Sequence, residues 1–224
     1  MPEPIRILST KKLLPNQKQF LLNANFSVIE ADFIEIVRKD FELEGSFENM
    51  IFTSQNAVKS FLKNEKAKGL KDKKVFCVGI KTRTLLEENG YKVAVSREYA
   101  SELSEVIVHD FQKESFVFFS GNLRRETLPE TLKKSDIVLQ EIEVYETKLT
   151  PQKINSPADA LLFFSPSGVQ SYLKDNKIEN QNCFCIGTTT AAALEKITDK
   201  IIIAKQQTVE NVIIQAINYY NKKL

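Results

Sequence analysis

Histidine and cysteine are scarce in this chain: one histidine and three cysteines among 224 residues. Each shortage removes a class of chemistry. A structural zinc site takes four Cys or His ligands, and the chain holds only those four residues, with Cys183 and Cys185 spaced C-x-C inside an apolar run. No metal is expected, and the thiols read as small buried hydrophobes. His109 falls in the helical pattern LSEVIVHDF, so no Ser–His–Asp or Cys–His arrangement is in view. An excess of one charge is lacking too. The net charge is +2, which argues against a nucleic-acid partner. Neither G-x-x-x-x-G-K-[ST] nor G-x-G-x-x-G occurs, which disfavours a nucleotide-dependent enzyme. No apolar run reaches the roughly 18 residues of a membrane span, and MPEPIRILST does not read as a signal peptide. Three cysteines suit a reducing compartment, so a cytoplasmic protein without a membrane partner is expected.

What is present is a globular composition, 42% hydrophobic and 27% charged, over a length that fits one large domain or two small ones. The chain also says nearly the same thing twice. MIFTSQNAVKSFL (residues 50–62) resembles LLFFSPSGVQSYL (161–173), with Phe52/Phe163, Ser54/Ser165, Val58/Val169, Ser60/Ser171 and Leu62/Leu173 coinciding. VFCVGIKTRTLLEENGYKVAV (75–95) matches CFCIGTTTAAALEKITDKIII (183–203) at nearly the same separation. Two matches in one order indicate an internal duplication. The opening IRILST and the middle FVFFSG start weaker copies of one strand–loop–helix–strand pattern, with Pro15 and Pro129 near the helix starts. Alternating strands and helices call for parallel sheets with helices on both faces, and unbroken apolar strands such as ALLFF fit burial on both sides. Linkers are expected at RKDFELEGSF (38–47) and ETKLTPQKINSPA (146–158). Tandem domains dividing near Glu146 fit this pattern. So does a chain that crosses at Arg38 to build a second domain and returns at Lys148 to finish the first.

Ligands of open parallel sheets sit beyond the carboxyl ends of the strands. The segments expected there are STKKL, TSQNA, GIKT, GNLRRE, SPSG and GTTT. Each is rich in Ser, Thr, Gly or Asn and runs into a helix, whose first N–H groups suit carboxylates or phosphates. For one loop, simple helix capping accounts for such residues; six loops duplicated across the chain favour a shared anionic ligand. Basic residues lie beside them (Lys11, Lys12, Lys59, Lys81, Arg83, Arg124, Arg125), and Arg124 and Arg125 have the planar guanidinium that pairs with carboxylates. Glu141 and Glu143 alternate as on the polar face of a strand. Tyr145 closes the strand EIEVY, and its phenol is able to donate a hydrogen bond to a departing hydroxyl.

Together IFTSQNAV, VFCVGIKT, FSGNLRRETLPETL, VYET, LLFFSPSGVQSYL and CFCIGTTTAAAL resemble the uroporphyrinogen-III synthase family, in that family's order across residues 50–194. Gln55 stands where the family often has proline, and GTTT where it tends to have Gly-Pro-Thr-Thr. The resemblance implies the crossover arrangement: two flavodoxin-like α/β domains with parallel sheets, 1–37 with 150–224 forming a discontinuous domain and 38–149 an inserted one. A two-stranded linker would join them, with the active site between. It further implies a monomeric lyase without cofactor whose small-molecule substrate is hydroxymethylbilane, a linear tetrapyrrole with eight carboxylates. In the scheme the resemblance implies, loss of the terminal hydroxyl would leave an azafulvene that attacks ring D to form a spiro intermediate, and fragmentation and reclosure would invert that ring. By the same resemblance Tyr145 would donate to the leaving hydroxyl, and Ser54, Thr82, Gly121, Asn122, Arg124, Ser165, Ser167, Gly168, Thr189 and Thr190 would bind substrate. The competing class is a hinge-closing two-domain binding protein for an acidic small molecule, which the duplication and loops alone also permit.

Overall fold

A computed structural model describes residues 4–221. In chain order these form β1 (Arg6–Ser9), α1 (Pro15–Asn23), β2 (Ser27–Glu30), β3 (Ile34–Arg38), β4 (Asn49–Phe52), α2 (Gln55–Phe61), β5 (Lys74–Val78), α3 (Ile80–Glu88), β6 (Val93–Arg97) and α4 (Ala100–Asp110). They continue with β7 (Ser115–Gly121), α5 (Thr127–Lys134), β8 (Val138–Leu149), β9 (Ala160–Phe163), α6 (Pro166–Asp175), β10 (Asn182–Cys185), α7 (Thr188–Ala192), β11 (Ile201–Ile203) and α8 (Val209–Asn221). Two compact units result. One joins the residues up to Glu35 with those from Lys148 onward, and the other spans Ile36–Thr147.

The first unit holds a sheet in the order β11-β10-β9-β1-β2, parallel at every pairing. Taken in chain order within the unit, that is the doubly wound 2-1-3-4-5 arrangement. The second holds β3-β8-β7-β4-β5-β6, with parallel pairings from β8 to β6. Its spatial order is the same if β7 and β8 take the places of β1 and β2, with β3 added at the edge beside β8. The duplicated strands β4 and β9 thus occupy the same position in their sheets, as do β5 and β10.

Alternation along the strands divides each core in two. In the first unit Leu8, Leu161, Phe163, Cys183 and Cys185 face one side of the sheet and Ile7, Ala160, Leu162 and Phe184 the other. In the second, Met50, Phe52, Val75, Cys77, Val117 and Phe119 share one face, and Ile51, Phe76, Phe116 and Phe118 the other. A period of two with both faces apolar is what burial beneath helices on both sides requires.

Three helices stop in the same way. Asn25 (φ 63°), Gly90 (φ 81°) and Asp136 (φ 55°) take left-handed backbone just past α1, α3 and α5. The next N–H reaches back in each case: Phe26 to Leu21, Tyr91 to Leu86 and Ile137 to Leu132. All six of these apolar residues are buried, so each stop also seals a core edge.

The expected linkers need correction. Glu146–Leu149 belongs to β8; the three consecutive polar residues Glu146, Thr147 and Lys148 hide the end of the strand. The stretch 38–47 is anchored to the second core: Phe41 and Phe47 are buried, and the Phe41 ring lies 6.1 Å from Phe61 and 5.4 Å from Phe119. Phe41→Ala is therefore expected to lower stability by about 3 kcal/mol, read by denaturant unfolding. A change within about 0.5 kcal/mol, ordinary for surface positions, would restore the bare-linker reading.

Candidate functional site

All six Ser/Thr/Gly/Asn-rich loops join a strand to the following helix at the carboxyl ends of the sheets. In a doubly wound sheet the crevice opens where the strand order reverses. That point lies between β7 and β4 in the second unit and between β1 and β9 in the first.

At the β7/β4 point, four of the residues expected to serve the site meet. The Ser54 hydroxyl caps α2, accepting from the Ala57 N–H at 3.1 Å, and lies 3.2 Å from the Tyr145 hydroxyl. The Tyr145 ring rests on Gly121. A Cβ at position 121 would meet ring atoms at 2.3, 2.5 and 2.8 Å, so no other residue fits without moving the tyrosine. The β7/β8 register shifts at this place, where Ser120 faces Glu143 and Gly121 faces Tyr145. Asn122 continues the pairing past the strand end: its N–H donates to the Tyr145 carbonyl at 3.3 Å, and its Oδ1 accepts from the Thr147 N–H at 2.9 Å.

Arg124 is already committed. Its guanidinium lies 2.6 Å from Glu126 and 2.6 Å from Glu141. The hydrogen bond to Glu126 holds it protonated above its ordinary range against the opposing effect of partial burial, and Glu141 adds its charge. The expectation of a free carboxylate clamp overlooked these partners, although Glu126 stands only two residues along. Other basic residues of the loops are occupied as well: Lys12 pairs with Asp32 at 4.0 Å, Arg83 with Glu87 at 2.9 Å, and Lys11 sits 5.8 Å above the Phe164 ring. Glu143 pairs with Lys39 at 2.6 Å, as a polar sheet face predicts.

At the β1/β9 point the first unit gathers Ser165, Ser167 and Gly168. The Ser165 hydroxyl caps α6 by accepting from the Gly168 N–H at 3.0 Å and lies 3.0 Å from that of Ser167. Thr10 joins them, although STKKL drew notice for its lysines instead. Its Oγ1 donates to the Leu162 carbonyl at 2.7 Å, and a Cβ on Gly168 would meet that Oγ1 at 3.7 Å.

Thr82 and Thr190 occupy matching places on separate loops, both buried. Their N–H groups donate to Gly79 and Gly187, each at 3.1 Å. Those donors are spent on the helix start. The glycines achieve this differently. Gly79 has φ 85°, whereas Gly187 is extended and packs against Gln207. Thr189 is exposed.

His109 is exposed on α4 and lies 2.5 Å from Asp110. Among the described residues no group of three or more His, Cys, Asp or Glu is placed to hold a metal ion, and no helix is long and apolar enough to cross a membrane.

The description uroporphyrinogen-III synthase HemD matches residues 19–214. The chain belongs to the uroporphyrinogen-III synthase family. It is 26% identical over 179 residues to the uroporphyrinogen-III synthase of Chlorobaculum parvum, covering 70% of this chain and 73% of that one. Its fold is similar to that of the uroporphyrinogen-III synthetase of Helicobacter pylori, with a TM-score of 0.75 and 23% identity over 96% of this chain and 99% of the other. A mutant uroporphyrinogen III synthase of Thermus thermophilus matches with a TM-score of 0.70 and 13% identity over 98% and 100% of the two chains. Within this family member, the cysteines are core residues. Cys77, Cys183 and Cys185 are buried and free, and burial pushes the Cys183 and Cys185 thiols up to about 12.

A thiol reagent at pH 8 is therefore expected to find no cysteine in the native protein and three after denaturation. Unfolded thiols ionise near 9.0 while folded Cys183 and Cys185 hold their protons to about 12. The unfolded chain binds fewer protons in that window, so stability should fall as pH rises through it. Cys185→Ala should reduce the slope, and an unchanged slope would remove the buried thiol as its cause.

Proposed function

We propose that the protein cyclises hydroxymethylbilane to uroporphyrinogen III with inversion of ring D and loss of water, acting in the cytoplasm as a monomer without a cofactor. The observation that carries this reading onto particular residues is the Tyr145 phenol, held at a switch point between strand-end loops of a chain belonging to the synthase family. A tetrapyrrole with eight carboxylates also gives six strand-end loops of hydroxyls and helix-start N–H groups a common purpose.

Tyr145 donates to the terminal hydroxyl of the bilane. The C–O bond breaks with its electron pair on oxygen, and the adjacent pyrrole nitrogen supplies the electrons that form the azafulvene. Attack on the substituted carbon of ring D gives the spiro intermediate. Fragmentation and reclosure then release one proton from the closing ring carbon, which balances the proton that left with water. The substrate itself furnishes nucleophile and electrophile, so the protein chiefly contributes geometry. Thr82, Thr189 and Thr190, with Ser165, Ser167 and Gly168, bind carboxylates. Thr10 supports the Ser165 loop. Arg124 binds carboxylate only through whatever capacity Glu126 and Glu141 leave it.

The test is to supply hydroxymethylbilane, oxidise the product and separate uroporphyrin isomers I and III. Isomer III should dominate, and isomer I alone at the spontaneous rate would favour the acidic-ligand binding protein instead. Tyr145→Phe should lower kcat by roughly 10²-fold, the lower end of general acid catalysis, with KM little changed. Unchanged kcat would remove the phenol from the reaction. Thr82→Ala and Thr190→Ala should each raise KM several-fold, the worth of about one hydrogen bond.

A further inference from the structure

We infer that Ser54, Gly121 and Asn122 are positioning residues that act through Tyr145, fixing both where the phenol sits and which way its proton points, and are not substrate ligands. The catalytic half of this inference rests on the synthase reading; the geometric half does not.

Three separate contacts define the tyrosine. Its backbone is fixed by Asn122, whose N–H donates to the Tyr145 carbonyl at 3.3 Å and whose side chain accepts from the Thr147 N–H at 2.9 Å. That amide therefore behaves as one more residue of strand pairing and is turned toward β8. The ring is fixed by Gly121, where a Cβ would come within 2.3 Å of it. Real side chains do not approach so closely. The hydroxyl is fixed by Ser54 at 3.2 Å.

The third contact also sets direction. A serine hydroxyl has one hydrogen to donate and lone pairs to accept with. Ser54 Oγ already accepts from the Ala57 N–H at 3.1 Å, so its hydrogen is free for the Tyr145 oxygen. A phenol oxygen that accepts from Ser54 keeps its own hydrogen for a ligand. Were the phenol to donate to Ser54 instead, it would have no hydrogen left for a departing hydroxyl. Donation along Ala57 N–H, Ser54 O–H and Tyr145 O–H runs one way, and such chains strengthen each member. The 3.2 Å separation is longer than the roughly 2.5–3.0 Å usual between two hydroxyls, as is common before a substrate tightens a catalytic hydrogen bond.

The sequence separates the two roles. Ser165 repeats Ser54 in the first unit and caps its helix in the same way, yet its hydroxyl lies beside Ser167 at 3.0 Å. Capping is therefore common to both serines. Contact with a tyrosine belongs to Ser54.

The test is a double-substitution cycle on the whole protein, with kcat and KM measured separately. Ser54→Ala should lower kcat about tenfold, the worth of one hydrogen bond, with KM nearly unchanged, and Ser54→Thr should restore it. In a Tyr145→Phe background, Ser54→Ala should lower kcat no further. A rise in KM at constant kcat, or an undiminished loss in that background, would make Ser54 a substrate ligand and overturn the inference. Ser54→Gly keeps much of the helix cap and should behave like Ser54→Ala, which separates lost capping from lost donation. Ring resonances of Tyr145, assigned in tyrosine-labelled protein by their loss in Tyr145→Phe, give a readout independent of turnover. They should shift in Gly121→Ala, Asn122→Ala and Ser54→Ala. Unmoved resonances would overturn the geometric half even if wild-type protein makes isomer III. Shifted resonances in a protein that makes only isomer I would uphold that half while the synthase reading fails.

Discussion

The ring of Tyr145 fills the volume that a side chain at position 121 would need. This exclusion organises the carboxyl end of the second sheet. β7 must end in glycine, and the β7/β8 register must slip by one residue there to bring Gly121 opposite the tyrosine. Pairing then continues through Asn122, whose main-chain N–H donates to the Tyr145 carbonyl and whose side chain accepts from the Thr147 N–H one step further along β8. The turn that follows is closed by the Arg124 N–H on the Gly121 carbonyl and tied down by the two carboxylates around Arg124. Register slips of this kind re-aim a side chain at the end of a strand. Here the side chain is a phenol, and the direction is toward the switch point.

The duplication acquires a physical meaning from the sheet orders. Chain order pairs β1, β2, β4, β5 and β6 as one copy and β7 to β11 as the other. Yet β1 and β2 share a sheet with β9, β10 and β11, and β7 and β8 with β4, β5 and β6. Each sheet therefore combines the opening pair of one copy with the closing three of the other. Neighbours in space are the same in both sheets, since a strand is recognised by its apolar pattern and register and not by its place in the chain. The exchange also explains why Phe41 and Phe47 are apolar. The segment leaving β3 must cover the Phe61–Phe119 face, which tandem domains would leave to some other part of the chain.

Much of this was legible in the sequence. Unbroken apolar strands and the repeated FFSPSG and FTSQNA patterns give the parallel sheets and the equivalence of Ser54 with Ser165. The C-x-C run alternates so that both thiols share one buried face, as the structure shows. Partnerships across long separations were harder to read. Nothing near Arg124 announces Glu141, which reaches it only because β7 and β8 are adjacent. Thr10 drew no notice because its role depends on β9, 152 residues away. Gly121 in GNLRRE reads as a substrate contact, and the ring above it is seen only once β8 lies beside β7. Charges misled most: the basic residues near the loops suggested open anion sites, while Asp32, Glu87, Glu126 and Glu141 had already claimed several of them.

That neutralisation bears on how a polyanion would be held. An array of unpaired guanidinium groups grips any carboxylate in many orientations and attracts competing anions. Hydroxyls and helix-start N–H groups are shorter, more rigid and directional. They are ordered before a ligand arrives, so little conformational entropy is lost on binding. For the proposed reaction this distinction matters more than affinity. The spontaneous route yields the symmetric isomer, so a flexible bilane bound tightly but loosely oriented would still close the wrong way. On that proposal, strand-end loops fixed by the capping bonds of Ser54 and Ser165 and by the turns onto Gly79 and Gly187 would supply orientation in place of strength. Under the proposed reaction a single phenol held by three contacts would suffice where a hydrolase needs a triad, because the tetrapyrrole carries its own nucleophile and the protein would have only to decide which carbon it reaches first.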